Sequence, residues 1–281
     1  MRTTYREKFF KCGNYLEVNI YPVYRKATQR SRKAKPSRKV QINLNKRNRE
    51  NKIIRLLNAN FTSEDLKLEL TYKKEFLPQS DEEAAKELRN FFRRVKRYRE
   101  KNGLPKLKYI AVTEKGSKNS RYHHHVVMSG GIDIVALTAL WGRGYTNAAA
   151  LQFDIDGLAA LGKYMIKDPI SAKKTWNSSK NLIHPQPKCR DGRLSKRKVI
   201  ELARDTENSR EYEKYYPGYY FSSAHVVTND INNGVYIQAR FYSPDAELYW
   251  NTGKKLRQKQ KKIDGVQLNA LSHDKQAGAG G

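Results

Sequence analysis

The stretch Arg121–Met128, with the sequence RYHHHVVM, places three consecutive histidines before an apolar run. The apolar run favours an extended, buried segment, and Ser129–Gly131 ends it, so a β-strand is predicted here. Side chains alternate between the two faces of a strand, so His123 and His125 share one face while His124 points to the other. Two imidazoles on one face make half of a metal site.

A partner strand is predicted over Lys108–Glu114, which a turn-rich polar connection, Lys115–Ser120, joins to the histidine strand. The two strands then form a β-hairpin. In such an antiparallel pair Glu114 comes back opposite His123. A carboxylate beside two neutral imidazoles suits a divalent cation that takes mixed nitrogen and oxygen ligands.

Other interpretations of the histidines stay open. A histidine-rich strand can simply be a solvated sheet edge. A zinc finger is a poor alternative, because Cys12 and Cys189 are far apart and lack the paired spacing of such a site. Glu69 is an alternative third ligand to Glu114, because it lies on the polar face of a predicted neighbouring strand.

A short helix is predicted over Asp154–Pro169, capped at its start by Asp154 or Asp156 and ended by the proline. Three residues recur at helical spacing and face the core: Leu158, Leu161 and Met165. Tyr164 and Lys167 lie three positions apart and share another flank. A tyrosine in an amphipathic helix is often a packing residue. Beside two histidines, however, the pair predicts a phenol that attacks a metal-polarised phosphate while the ammonium assists with its charge.

Three segments in this order carry a family resemblance: the hydrophobic strand Leu66–Tyr72, the histidine motif His123–His125, and Tyr164–Lys167. They resemble the HUH endonucleases, in particular the single-tyrosine rolling-circle replication initiators of plasmids, filamentous phages and related mobile elements. The middle position of the histidine motif, usually a bulky hydrophobe in that family, is a histidine here. Trp141–Gly144 and Trp176–Leu182 are similar to the phage gene II type of initiator.

The resemblance implies a mechanism and a site. Glu114, His123 and His125 would hold one Mg²⁺ or Mn²⁺, and Tyr164 would attack the scissile phosphate with help from Lys167. The product would be a 5′-phosphotyrosine and a free 3′-OH, so the enzyme would nick and rejoin single-stranded or hairpin origin DNA. A host helicase and polymerase are candidate partners. A transposase or relaxase of the same superfamily, or a non-catalytic nucleic-acid-binding protein, are the alternatives.

The composition agrees with a nucleic-acid partner. The chain has 281 residues, with 56 Lys and Arg against 28 Asp and Glu, a formal net charge of +28. A protein this basic commonly neutralises phosphates. No apolar run is long enough to span a membrane, the first residues lack a signal peptide's apolar segment, and two distant cysteines fit a reducing compartment. We therefore expect a location in the cytoplasm of a bacterial host and no membrane partner.

The densest basic segment runs from Arg25 to Arg55, with thirteen Lys or Arg and one acid, Glu50. It is interpreted as a DNA-contacting arm that becomes helical near Lys39, although a solvated basic helix is the alternative. A partial apolar stripe follows Val40, Leu44, Ile54 and Leu57. The predicted DNA contacts are Arg30, Arg32, Lys33, Lys35, Arg38, Lys39, Arg47, Arg93, Arg97 and Arg121.

The predicted fold is α+β. A strand over Asp65–Lys73, a helix from Ser80 to about Glu100, the hairpin, a helix near 132–140, a strand near 145–153 and the tyrosine helix give the order βαββαβα. That order predicts a ferredoxin-like βαββαβ antiparallel sheet with helices on one face and the other face free for substrate. The predicted divisions are a basic N-terminal arm (1–58), a nuclease domain (59–170), a β-containing C-terminal extension (171–262) and a flexible tail (263–281).

Two smaller predictions concern the ends of the chain. One strand over Tyr15–Tyr21 stops near Pro22. In the extension, a helix over Lys196–Ala203 precedes strands at Ala224–Thr228 and Val235–Tyr242.

Overall fold

A computed structural model describes residues 4–24, 38–116, 121–167, 175–229 and 234–243, with side chains from residue 41 onward in the first helix. The strands are β1 (Thr4–Cys12), β2 (Tyr15–Val23), β3 (Leu66–Leu70), β4 (Tyr109–Lys115), β5 (Tyr122–Met128), β6 (Thr146–Ala150), β7 (Asn177–Ser178), β8 (Lys188–Asp191), β9 (Tyr220–Asn229) and β10 (Gly234–Tyr242). The α-helices are α1 (Arg38–Asn60), α2 (Asp81–Lys101), α3 (Ile134–Trp141), α4 (Ala159–Met165), α5 (Lys196–Arg204) and α6 (Ser209–Glu213).

Two antiparallel five-stranded sheets organise these elements. The histidine sheet has the strand order β6-β3-β5-β4-β7, and the terminal sheet has the order β8-β1-β2-β10-β9. The predicted α+β class is confirmed.

The histidine sheet confirms the predicted βαββαβα order, since β3, α2, β4, β5, α3, β6 and α4 follow one another along the chain. In the spatial order β6-β3-β5-β4, each crossover through a helix leaves room for one strand between the two that it joins. This is the split βαβ arrangement of a ferredoxin-like sheet.

Helices α2 and α3 cover one face of the histidine sheet. Helix α2 begins with a reciprocal cap, in which the Glu83 amide donates to Ser80 Oγ (3.2 Å) and the Gln79 amide donates to the Glu83 carboxylate (2.7 Å). The buried side of α2 is formed by Ala84, Leu88, Phe91, Phe92, Val95 and Arg99. All but Arg99 were predicted as buried, together with Tyr98, which is partly buried.

The opposite face of the histidine sheet is only partly open. Its apolar side chains Ile110, Val112 and Val127 share a core cluster with residues of α1 and α4. The part left uncovered is the end that carries the histidines. The free face expected for a substrate is therefore narrowed to one end of the sheet.

The N-terminal prediction of a single strand ending near Pro22 is wrong. Residues 4–23 form a complete hairpin, in which Tyr5 pairs with Pro22 and Cys12 with Tyr15. Strand β2 continues through the proline to Val23, because at this end of the strand the neighbouring β10 no longer pairs with it. Strands β1 and β2 lie in the middle of the terminal sheet, between β8 and β10.

Helix α1 lies against both sheets, and its apolar stripe is shorter than predicted. Ile54 and Leu57 are fully buried, whereas Leu44 is 46% exposed. The buried stripe begins only near Ile53, because the first half of the helix runs beyond the core. The prediction for Val40 falls on a side chain outside the described residues.

The C-terminal part of the chain completes the terminal sheet. The predicted helix and both predicted strands are confirmed as α5, β9 and β10, with β9 starting four residues earlier than expected. Strands β7 and β8 and helix α6 were not predicted. The predicted tail, 263–281, lies outside the described residues. Among the helices that the structure describes, none is long and apolar enough to cross a membrane.

Candidate active site

The exposed end of the histidine sheet is built from facing pairs on three adjacent strands. In the registers of β5, Glu114 of β4 lies opposite His123, and Glu69 of β3 lies opposite His125. Residues directly opposite in an antiparallel pair share a face, so all four side chains project to the same side. The predicted alternation of the histidines and the position of Glu114 are confirmed.

The distances within this group are uneven. Nε2 of His125 lies 3.0 Å from Oε2 of Glu114, at hydrogen-bond distance. Nδ1 of His123 lies 3.9 Å from Oε1 of Glu69, which is too far for a hydrogen bond. That nitrogen is buried and has no hydrogen-bond partner in the described part of the chain. A buried imidazole nitrogen without a partner is free to accept a ligand bond.

His124 has a different environment on the opposite face. It is fully buried, with Nε2 2.6 Å from the Tyr72 hydroxyl and Nδ1 2.9 Å from the Thr113 hydroxyl. Burial, and then the neighbouring His125 and His123, lower the pKa of His124 to about 3. His124 is therefore a neutral, hydrogen-bonded core residue that cannot reach the face of the other two histidines.

Tyr164 of α4 lies beside this group. Its ring is 57% exposed and stands edge-on to the His125 ring, with 5.1 Å between centroids. The two rings line a cleft of about 350 Å³ between α4 and the sheet, and Glu69 lines it as well. Partial burial raises the pKa of the Tyr164 phenol, and the charges of Glu69 and Glu114 raise it further. A nearby cation would act in the opposite direction.

Close packing on α1 fixes the position of α4. A methyl group at Gly162 would lie 3.0 Å from Ile54 Cγ1 and 3.3 Å from Leu57 Cδ1, so a glycine is needed for this approach. The buried amide oxygen of Asn58 accepts a hydrogen bond from the Leu158 amide (3.2 Å) at the start of α4. The tyrosine is thus held by a helix of the basic N-terminal segment.

The predicted limits of the tyrosine helix need correction. The N-cap is Leu158, without a side-chain hydrogen bond, instead of Asp154 or Asp156. The two aspartates form a turn that Gly157 closes, with the Asp156 amide donating to Asp154 Oδ1 (2.7 Å) and Ser223 Oγ donating to Asp156 Oδ1 (3.1 Å). The acidic side chains are occupied in this turn and are not available to cap the helix.

Lys167 lies beyond the end of α4, which stops at Met165. The prediction that Tyr164 and Lys167 share one helical flank is therefore wrong. The Lys167 amide still donates to the Tyr164 carbonyl (3.2 Å), so a tight turn keeps the two residues adjacent. The Lys167 side chain is exposed. Pro169, predicted to end the helix, lies outside the described residues.

The predicted DNA contacts are dispersed. Arg93 and Arg97 lie on the exposed side of α2, which covers the sheet face opposite the site, and Arg121 is exposed just before β5. Arg47 is partly buried on α1 and donates to Gln238 Oε1 (2.9 Å). The remaining predicted contacts fall on residues or side chains outside the described part: Arg30, Arg32, Lys33, Lys35, Arg38 and Lys39.

Two polar residues of the cleft were not predicted. Lys67 shares a face with Glu69, two positions away on β3, and Asn147 of β6 lies opposite Glu69. The alternation of β3 contained the signal for Lys67. Asn147 could not be found in this way, because its position depends on the pairing of β6 with β3.

The residues present fit a divalent cation by chemical type. Two imidazoles and two carboxylates supply the mixed nitrogen and oxygen ligands that Mn²⁺ accepts, and Mg²⁺ accepts the carboxylates readily. Within the described residues, no group of three His, Cys, Asp or Glu side chains converges closely enough to form a complete metal site. The donors are on one face, and they would have to draw together around an ion.

The comparison with protein families adds an independent observation. Residues 66–169 match the model of the replication-associated protein family that comprises the ORF2 and gene 2 proteins. The matched segment runs from β3 past the end of α4 and contains Glu69, Glu114, His123, His125 and Tyr164. No curated protein and no solved structure gives a significant match to the chain. The family match supports a role in the initiation of replication.

Proposed function

We propose that this protein nicks and rejoins single-stranded DNA at a replication origin through a covalent bond between Tyr164 and a 5′-phosphate. Such a nick starts rolling-circle replication of a plasmid, phage or other mobile element. The observation that carries the proposal is the contact of the exposed Tyr164 ring with His125, over a cleft lined by Glu69 and beside Glu114. The family match over residues 66–169 supports the link to replication.

Glu114, His123 and His125 are the residues that would hold a Mg²⁺ or Mn²⁺ ion. Glu114 is favoured over Glu69 as the third ligand, because its carboxylate lies within 3.0 Å of His125 whereas Glu69 is 3.9 Å from His123. Such an ion, when bound, supplies positive charge to a non-bridging oxygen of the scissile phosphate. The free Nδ1 of His123 supports this assignment.

The reaction of Tyr164 is a transesterification. The phenol oxygen forms a bond to phosphorus while the bond from phosphorus to the 3′ oxygen breaks. The phenol loses one proton, and the leaving 3′ oxygen gains one. The number of phosphate ester bonds is unchanged, so the returning 3′-OH can reverse the step without an external energy source.

The proton of Tyr164 needs an acceptor. Of the two carboxylates that raise the pKa of its phenol, Glu69 has the larger effect. With Glu114 in contact with His125, Glu69 remains available to accept the phenol proton. Lys167, held beside Tyr164 by the turn after α4, supplies positive charge close to the developing phenolate.

Formation of a covalent adduct tests this function. Overlapping single-stranded oligonucleotides that span the DNA around the coding region are incubated with the full-length protein and Mn²⁺ or with a chelator. Each oligonucleotide is labelled in turn at its 3′ or its 5′ end. We expect the protein to retain the 3′ label and release the 5′-labelled fragment, because the tyrosine takes the 5′-phosphate. The chelator should prevent both results.

Two substitutions assign the nucleophile. Tyr164→Phe should abolish the adduct while leaving DNA affinity within a few-fold, because only the attacking oxygen is lost. Tyr145→Phe is the matched control, since Tyr145 is also exposed (71%) and precedes β6. An adduct that persists in Tyr164→Phe would assign the attack to another residue. DNA binding without any adduct in the wild-type protein would favour a non-catalytic binding protein.

A further inference from the structure

A second cleft lies on the other side of α4. It has a volume of about 490 Å³ and is bounded by α1, by α4, and by the β9–β10 part of the terminal sheet. Lys163, which enters this cleft, directly precedes Tyr164 in α4. One helix of seven residues therefore separates the second cleft from the candidate active site.

The lining of the second cleft is strongly basic. Its cationic side chains are Lys46, Arg47, Lys163 and Arg240, and one acidic residue, Glu50, lies among them. Outside the lining, Asp156 is 3.8 Å from Arg240 and offsets part of that charge. Arg47 is held in place by its hydrogen bond to Gln238, so the cleft has at least one fixed guanidinium.

His225 of β9 reports on the potential in this cleft. Burial lowers the pKa of its imidazole, and the charges of Arg47, Arg240 and Lys163 lower it further. The imidazole therefore experiences a net positive potential. An anion in the cleft would relieve this repulsion.

We propose that the second cleft binds the phosphodiester backbone of the single DNA strand as it leaves the scissile phosphate at Tyr164. This inference rests on the proposed nicking function and adds a path for the strand across α4. Lys46, Arg47 and Lys163 bind the phosphates. A cleft bounded on three sides accepts one flexible strand, whereas a duplex is too wide and would lie across its opening.

DNA binding is best measured separately from nicking. All proteins carry Tyr164→Phe, so no covalent adduct contributes to the affinity. The test variant adds Lys46→Glu and Lys163→Glu. The control variant adds Lys101→Glu and Lys106→Glu, which make the same change of charge at exposed positions around the end of α2. Thermal unfolding followed by circular dichroism establishes that each variant is folded.

The readout is the salt dependence of binding, followed by fluorescence anisotropy with a labelled 20-nucleotide single strand. Removal of one phosphate contact lowers the slope of log K against log salt by about 0.7, so removal of two lowers it by about 1.4. Extrapolated from 1 M to 0.1 M salt, this corresponds to about a 25-fold loss of affinity at 0.1 M. The control variant should keep the parental slope.

Each other outcome counts against the inference. A test variant with the parental slope, or with the slope of the control, shows that the cleft does not contact the strand. Weaker binding without a change of slope shows an effect unrelated to phosphate neutralisation. An equal decrease of slope on a labelled hairpin duplex shows that the surface binds a duplex instead. If the Tyr164→Phe parent binds no DNA at all, the proposed function itself fails.

Discussion

Gly157, which closes the turn before α4, provides the sharpest test of how the tyrosine is positioned. Its backbone has φ +65°, in the left-handed region that favours glycine. A Cβ atom here would lie 2.3 Å from Oδ1 of Asn58 and 2.4 Å from Oη of Tyr242. The amide oxygen of Asn58 is the acceptor for the Leu158 amide at the start of α4. Gly157→Ala must therefore displace the contact that anchors this helix.

The expected loss of stability has two parts. The left-handed conformation costs an alanine about 1–2 kcal/mol. Displacing Asn58 leaves the buried Leu158 amide without its acceptor, which costs about 1–3 kcal/mol. The sum is roughly 3 kcal/mol. Gly103 separates the two parts, because it has nearly the same φ, +66°, but no atom within 4 Å of its Cβ position.

Urea unfolding of wild type, Gly157→Ala and Gly103→Ala measures the two parts directly. We expect Gly103→Ala to lose only the backbone cost, and Gly157→Ala to lose about 2 kcal/mol more, the cost of the buried hydrogen bond. The covalent adduct with DNA should also form more slowly in Gly157→Ala, because Tyr164 is carried by the displaced helix. Equal losses of stability in the two variants would refute the contact between this turn and α1.

Two further predictions concern the residues around the histidines. Glu114→Ala should weaken Mn²⁺ binding, measured by calorimetry without DNA, by about 10-fold or more, whereas Glu69→Ala should weaken it less; the reverse order would make Glu69 the third ligand. His124→Ala should lower the free energy of unfolding by about 2–4 kcal/mol, because it leaves a cavity and removes the partner of the buried Tyr72 hydroxyl. Mn²⁺ binding should persist in His124→Ala, and a stability equal to wild type would contradict the role of His124 in the core.

Period-two alternation was enough to predict the faces of β5 and the position of Glu114. Both depend on residues close in sequence, since a hairpin loop joins β4 to β5 and its length sets the register. The packing role of His124 was not predicted. Its partner Tyr72 is 52 positions away, and no local pattern marks the pair.

Distant contacts also explain the errors around the tyrosine helix. Asp154 and Asp156 have the residue type of an N-cap and stand close before the helix. The Asp156 carboxylate instead accepts a hydrogen bond from Ser223 of β9, 67 positions away. The pairing of β2 with β10 likewise joins the two ends of the described chain. Local sequence patterns contain no signal for such a pairing.

The basic charge of the N-terminal segment is not all available for DNA. Nε of Arg55 donates to the fully buried Glu17 carboxylate (3.0 Å), and the Arg55 guanidinium lies 3.6 Å from the centre of the Phe10 ring. This arginine ties α1 to the terminal sheet. A charge count over Arg25–Arg55 cannot separate such a residue from one that contacts phosphate.

Helix α1 makes the candidate site depend on more than the segment that matches the family. Ile53, Ile54 and Leu57 are fully buried, and they pack against the histidine sheet and against Gly162 of α4. Burial of each side chain contributes about 1.5–3 kcal/mol. A fragment limited to residues 66–169 would lose this contribution and expose the apolar end of the sheet to water. It would also lose the Asn58 contact that fixes the start of α4, so Tyr164 would no longer be held beside His125.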